Sequence, residues 1–301
     1  MGFKRSRDGT MVNEKPEQSA SPFLAMFEGF RKELDEHHDR RERIIKASRD
    51  ITASSKKIIF TLQRVRTVGQ PVPAFVNKNN AQYWETIEKQ YNSIAADLQG
   101  LNAYRYSHNI TGGNQEFMEA LSFQHYLETQ GLVSYDEAKS RIAAMSGEAG
   151  AVSLTPEDYV LGICDMTGEL MRFSVTSMAT SGKLPSGEQA FTNKRAKMND
   201  DQNDSSDKMD IDEQHLPADE AQKPRTVLDD LRAIRLQLEM FEAPGGSKFS
   251  HELETKKMPV MRECVDKVEK ALYGLTVRGS ERPKGWMPDT SGDKRAEVES
   301  Y

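Results

Sequence analysis

A helical stripe of unusual length restricts this chain more than any other feature. Phe23, Phe27, Phe30 and Leu34, then Ile44, Ser48, Ile51, Ser55, Ile58, Leu62 and Val65, recur by threes and fours. That spacing puts side chains on one face of an α-helix. Apart from charged turns near positions 37 and 41, the stripe covers roughly 45 residues, too many for an ordinary globular helix. It predicts a bundle or coiled-coil-like scaffold. Gly69 and the prolines at 71 and 73 are its expected stop.

The rest of the chain reads as further helices. One is predicted from about Phe75 to Leu98, carrying Tyr83, Trp84, Ile87, Tyr91 and Ile94. Another covers roughly 102–130, with Phe117, Leu121 and Phe123 as apolar members. Ser134-Tyr-Asp-Glu has the form of a capping box and opens a short helix. Thr155-Pro-Glu-Asp supplies a capping residue, a proline at the first position and acids that match the dipole. The helix it opens runs to about Met178. Patterning resumes at about Val227–Phe241 and again at about Glu252–Leu275. No β-alternation competes, so the fold class is all-α.

Mean hydropathy is −0.71 in 301 residues, low for a chain that is compact throughout. The patternless stretches locate the difference. Residues 1–20 read as a polar tail, 21–285 as the helical domain and 286–301 as a second tail. Inside the domain, 181–224 is a low-complexity insert, basic and then acidic. Asp200–Glu220 holds nine acids against one lysine, a charge of −8. The whole chain carries −6, which leaves +2 for everything else. Net charge therefore neither demands nor excludes nucleic acid.

Several classes are excluded. Cys164 and Cys264, the two cysteines, lie far apart in helical patterns, which argues against a disulfide framework and for a reducing compartment. The N-terminus lacks the apolar stretch of a secretory signal, and no apolar run approaches the ~20 residues that span a bilayer. No membrane partner is expected. There is no Walker or dinucleotide loop, no nucleophile elbow and no histidine spacing with cysteine for zinc.

Two acidic pairs could carry chemistry. Glu116-Phe-Met-Glu119 places its carboxylates within ~60° on one helix face, and Asp165-Met-Thr-Gly-Glu169 places its pair ~40° apart. Like charges at these spacings destabilise a helix by a few tenths of a kcal/mol. Acidic pairs of this kind usually face water. These two lie in the most apolar helices, and Asp158, Leu161, Gly162, Asp165, Glu169 and Arg172 share a face on which the glycine permits close helix approach. Four carboxylates from two facing helices form a hard, oxygen-rich site suited to Mg²⁺ or Mn²⁺. Such a site can activate water against a phosphodiester. A di-iron centre would need Glu-x-x-His pairs, and neither pair continues to histidine.

The long helix is also basic, with Arg40, Arg41, Arg43, Lys46 and Arg49 at its centre. Such a row reads either as a solvated, salt-bridged face or as a contact for the phosphates of a single strand. Lys194, Arg195 and Lys197 in the insert form a short basic cluster of the nuclear-localisation kind.

Five stretches resemble the translin superfamily, in particular its translin-associated factor X branch. They are Phe30-Arg-Lys-Glu-Leu-Asp-Glu-His-His-Asp-Arg-Arg-Glu-Arg-Ile-Ile-Lys, Ser48-Arg-Asp-Ile-Thr, Glu116-Phe-Met-Glu-Ala-Leu-Ser-Phe-Gln-His-Tyr, Asp158-Tyr-Val-Leu-Gly-Ile-Cys-Asp-Met-Thr-Gly-Glu-Leu-Met-Arg and Tyr273-Gly-Leu-Thr-Val-Arg-Gly-Ser-Glu. They occur in family order over roughly 22–285. The resemblance implies a seven-helix bundle that joins translin in a closed hetero-oligomer, commonly an octamer, in cytoplasm and nucleus. It implies a Mg²⁺-dependent endoribonuclease acting on single-stranded RNA, in passenger-strand removal or precursor-tRNA processing, with single-stranded DNA as a further ligand. The family's acidic motif falls on Glu116, Glu119, Asp165 and Glu169, as catalytic residues and metal ligands. A second reading stays open: a non-catalytic scaffold that stabilises translin and binds single-stranded nucleic acid, its acids salt-bridged to the basic helix.

Overall fold

A computed structural model describes residues 21, 23–187 and 224–278. The expected tails, 1–20 and 286–301, and the basic cluster Lys194, Arg195 and Lys197 lie outside these residues. The chain divides into two compact units, Met1–Arg43 and Ile44–Tyr301.

The long helix forms as α1, Leu24–Leu62. In the first unit Phe23, Phe27, Phe30 and Leu34 are all more than half exposed. In the second, Ile44, Ile51, Ile58 and Leu62 are fully buried. The helix ends seven residues before Gly69. Arg64 N–H and Val65 N–H donate to the carbonyls of Thr61 and Leu62, tightening the last turn. Val65, Val68 and Val72 then enter the core from the irregular loop that follows. Their apolar spacing mimics helix continuation, which is why the predicted stop came late.

α2 (Ala74–Ala95) is followed by a short 3₁₀ turn at Ala96–Leu98. The single helix expected over 102–130 is two: α3 (Leu101–Arg105) and α4 (Ser107–Thr129). The break is at Tyr106, buried, with φ −107° and ψ 7°, in the sparsely populated bridge region. No glycine or proline marks it. α5 (Tyr135–Met145) opens on the expected capping box, with Ser134 and Glu137 each accepting from the other's backbone N–H. α6 (Pro156–Ser181) opens on Thr155, whose hydroxyl accepts from Asp158 N–H.

α6 is the central helix, packed along α4 and also against the last of the described helices. Its approach to α4 is close because Gly162 has no Cβ: one placed there would meet Met118 Cβ at 2.5 Å. The glycine on the acidic face has the packing role the sequence suggested. Gly113 does the same for α1 and α4, with its N–H donating to Ser48 Oγ at 3.0 Å.

The expected insert starts too early at 181. Lys183–Gly187 leave α6 in a defined path, with Leu184 packed against the core. Ser186 pairs with Thr226 in an antiparallel bridge, and Val227 N–H donates to Pro185 O at 3.0 Å. α7 (Val227–Glu239) opens on a second capping box, Thr226 with Asp229. α8 (Lys248–Glu252) continues through a π-turn, Leu253–Lys257, into α9 (Met258–Arg278). Among the described residues seven helices have eleven residues or more, the count the resemblance implies. No strand occurs among them, and no helix among them is long and apolar enough to cross a membrane.

Candidate functional site

α4 and α6, held together at Gly162, bring both acidic pairs into one region of the second unit. Three of the four carboxylates have a cation of their own. Glu116 Oε1 lies 3.4 Å from Lys56 Nζ of α1. Asp165 receives Lys257 Nζ at 2.8 and 2.7 Å on its two oxygens. Glu169, buried, accepts from Arg172 Nη1 at 2.8 Å and from Gln63 Nε2 at 2.5 Å.

Glu119 is different. Its carboxylate has no hydrogen-bond or ion-pair partner among the described residues. Burial pushes its pKa up to about 9, and the charges of Asp165, Glu116 and Glu169 push in the same direction. Glu119 thus stands at the electrostatic centre of the four acids. Burial likewise raises Glu116 and Asp165, against the pull of Lys56 and Lys257. None of the groups that act most on Glu119 is a histidine.

This donor set suits a hard divalent cation: carboxylate oxygens only, with one half-buried carboxyl, Glu119, that no cation contacts. Three of the four side chains are nevertheless engaged with cations of their own. Among the described residues no three of His, Cys, Asp or Glu converge on a point where one ion could be held.

Asp158, on the same face of α6, belongs to another network. It is buried and accepts from Asn114 Nδ2 at 3.2 Å and Gln115 Nε2 at 3.3 Å. Tyr91 Oη donates in turn to Asn114 Oδ1 at 3.1 Å. The network pins the start of α6 to α4. Beside it opens a cavity of about 490 Å³, lined by Tyr104, His108, Gln115, Leu161, Phe249 and Glu252 among others. None of the four acids lines it, but Glu252, which does, acts electrostatically on Asp165.

The basic residues of α1 are solvent-facing. Arg41 and Arg43 are exposed and Arg40 is half-buried. Arg41 has Glu42 at 3.5 Å. In the second unit Lys46 and Arg49 are exposed and have no ion-pair partner among the described residues. Both cysteines are free and buried, and burial lifts the Cys164 thiol to about 12, which leaves it inert.

Residues 39–279 match the family model described as Translin family. The chain belongs to the translin family. Translin-associated protein X of rat is 30% identical, covering 96% of this chain and 92% of the relative. The fission yeast homologue is 40% identical over half of this chain. Mouse translin is 25% identical over 53% of this chain. A solved structure described as apo-NeC3PO shares the fold at 16% identity, with a TM-score of 0.52 over 87% of this chain and 97% of that one.

The four acids singled out by the sequence thus lie on the packed helices α4 and α6, near enough to act on one another electrostatically but not converging on one point. Lys257 and Gln63 were not anticipated. No local pattern ties Lys257 to an aspartate 92 residues away. The one available signal was that four acids brought together require compensating cations.

Proposed function

We propose that this chain is the carboxylate-bearing subunit of a translin-containing hetero-oligomer that cleaves single-stranded RNA in a Mg²⁺- or Mn²⁺-dependent reaction. Glu119 carries the reading. A half-buried carboxyl with no protein partner among the described residues, pressed by three other acids, is what a divalent cation relieves and what a merely structural acid cluster avoids. Glu119, Glu116, Asp165 and Glu169 would hold the metal. Once bound, the metal supplies Lewis acidity, which lowers the pKa of water and offsets charge on a phosphate. The chain's own residues bind and orient the substrate. Lys56, Lys257 and Arg172 supply positive charge around the acids. The cavity lined by Tyr104 and Phe249 offers a nucleotide room and aromatic surface. Arg40, Arg41, Arg43, Lys46 and Arg49 would contact backbone phosphates of RNA or single-stranded DNA.

Partner binding rests on exposed apolar surface. Phe23, Phe27, Phe30 and Leu34 leave a stripe on α1 that a soluble monomer rarely presents. Translin, in an octameric or similar closed assembly, is the proposed cover. The same reading places the assembly in cytoplasm and nucleus, acting on passenger strands or precursor-tRNA fragments. Lys194, Arg195 and Lys197 would serve import.

One observation favours the scaffold reading: three of the four acids are ion-paired, Glu116 to the basic helix itself. Metal titration separates the two. The enzyme predicts saturable Mn²⁺ binding that Glu119→Gln and Glu169→Gln each abolish. Binding that is absent, or unchanged in both variants, leaves the scaffold.

A further inference from the structure

Lys257 stands apart from the other cations of the site. Lys56 is 63% exposed and Arg172 67% exposed, so each holds its acid from solvent. Lys257 is only 21% exposed, against an Asp165 that is 30% exposed, and its ammonium contacts both carboxylate oxygens. It also acts electrostatically on Glu116 and Glu119. Lys257 is therefore the cation whose charge reaches acids on both α4 and α6.

Its backbone is unusual as well. Lys257 closes the π-turn Leu253–Lys257, where Met258 N–H donates to Leu253 O. One extra residue in a helical turn shifts the register by ~100°. Leu253 and Met258 are nonetheless both buried, as are Met261, Val265 and Val268 further on. The π-turn lets α9 keep this apolar face in the core while Lys257 is aimed at α6. A π-turn costs helix regularity, and such turns occur often where a side chain is placed for function.

We propose that Lys257 is a displaceable counter-cation: it holds Asp165 in the ion-paired arrangement and releases it when a divalent cation enters the four-carboxylate site. This rests on the metal-dependent reading above. It accounts for a donor set that suits a metal and yet does not converge. Asp165 cannot turn toward Glu119 while both its oxygens accept from the lysine. The two cations are then thermodynamically linked: each weakens the other's hold on Asp165 by the same factor.

The test is Mn²⁺ affinity, measured by calorimetry on the full-length chain in the assembly in which it purifies, with no RNA present. Lys257→Gln removes the competitor and is expected to tighten Mn²⁺ binding about tenfold. Lys257→Arg keeps the charge and is expected to bind no tighter than wild type. Melting curves in EDTA establish that both variants are folded. If only Lys257→Gln is misfolded, the Arg variant decides: Mn²⁺ binding tighter than wild type overturns the latch. Unchanged or weaker affinity in a folded Lys257→Gln overturns it while leaving the metal site in place, as does equal tightening in both variants. Binding in Lys257→Gln but not in wild type supports a strong latch. No binding in any of the three overturns the latch and the metal reading together.

Discussion

Gly162 of α6 and Met118 of α4 approach so closely that a Cβ built on the glycine would lie 2.5 Å from the methionine Cβ, and 3.1 Å from Gln115 O. Neither neighbour is the tip of a flexible side chain, so the helices themselves must part. Gly162→Ala is expected to destabilise the fold by about 1–3 kcal/mol. It should also cut RNA cleavage, because the contact that spreads is the one holding both acidic pairs. Denaturant unfolding and a cleavage assay on the same preparation check both. Unchanged stability would mean that the two helices are not held at this distance.

Glu119 gives a pH signature with a definite sign. Its carboxyl is held above its unfolded value, to about 9, so between roughly 4.5 and 9 the folded state binds the extra proton. Stability from this group is fully present below the unfolded pKa and is lost as pH rises through the folded one. Glu119→Gln removes the loss. The variant should melt above wild type at pH 8, by at least about 1 kcal/mol or a few °C, and the two should converge near pH 4. Mn²⁺ should raise the wild-type Tm and leave the variant's unchanged. A variant less stable than wild type at pH 8 contradicts the placement of Glu119.

The helix boundaries show what could be read locally and what could not. Ser134 with Glu137, and Thr155 with Pro156, are caps whose chemistry sits within four residues, and both form as expected. Tyr106 breaks a helix with no breaker residue, because its ring is buried and its backbone follows. Val65, Val68 and Val72 kept helical spacing after the helix had ended, since the core takes apolar residues from an irregular loop as readily. At the site, the spacing of Glu116, Glu119, Asp165 and Glu169 was legible because helix geometry alone puts each pair on one face. Lys257 was not, since its meeting with Asp165 depends on how α6 packs against the π-turn. Asp158 shared the acidic face but joined Asn114 and Gln115, a choice that spacing does not encode.

Where the chain leaves and re-enters the bundle, Asp230 makes a clasp. It is buried and accepts from Tyr126 Oη at 2.5 Å and Gln130 Nε2 at 3.0 Å, and it pairs with Arg225. Asp230→Asn should cost about 1–3 kcal/mol, because Tyr126 Oη loses its charged acceptor while the exposed Arg225 stays solvated. Tyr126→Phe should cost about 1–2 kcal/mol. Joining residues 187 and 224 by a short Gly-Ser turn should leave the Tm within a few °C of wild type, since the Ser186–Thr226 bridge already brings the ends together. Thermal melts of the three variants test this. A large loss on deletion would show that the bundle depends on the excised residues.

Lys46 and Arg49 are exposed on α1 without ion-pair partners among the described residues. If they meet phosphates, replacing both with alanine weakens single-stranded RNA binding and lowers the slope of log K against log salt by about 1.4, ~0.7 for each lost contact. Fluorescence anisotropy across a salt series reads it. An unchanged slope assigns them to the solvated face of the helix.

The proposed reaction requires the four acids to act together on RNA. The decisive measurement is cleavage of a labelled single-stranded RNA by this chain reconstituted with translin, in Mg²⁺ or Mn²⁺ and in EDTA, for wild type, Glu119→Gln and Asp165→Asn. We expect metal-dependent cleavage by the wild type, none in EDTA, and a loss of at least about a hundredfold in each variant, a scale of the kind seen when a group that stabilises the transition state is removed. Wild-type rates in both variants, or cleavage indifferent to EDTA, would contradict it.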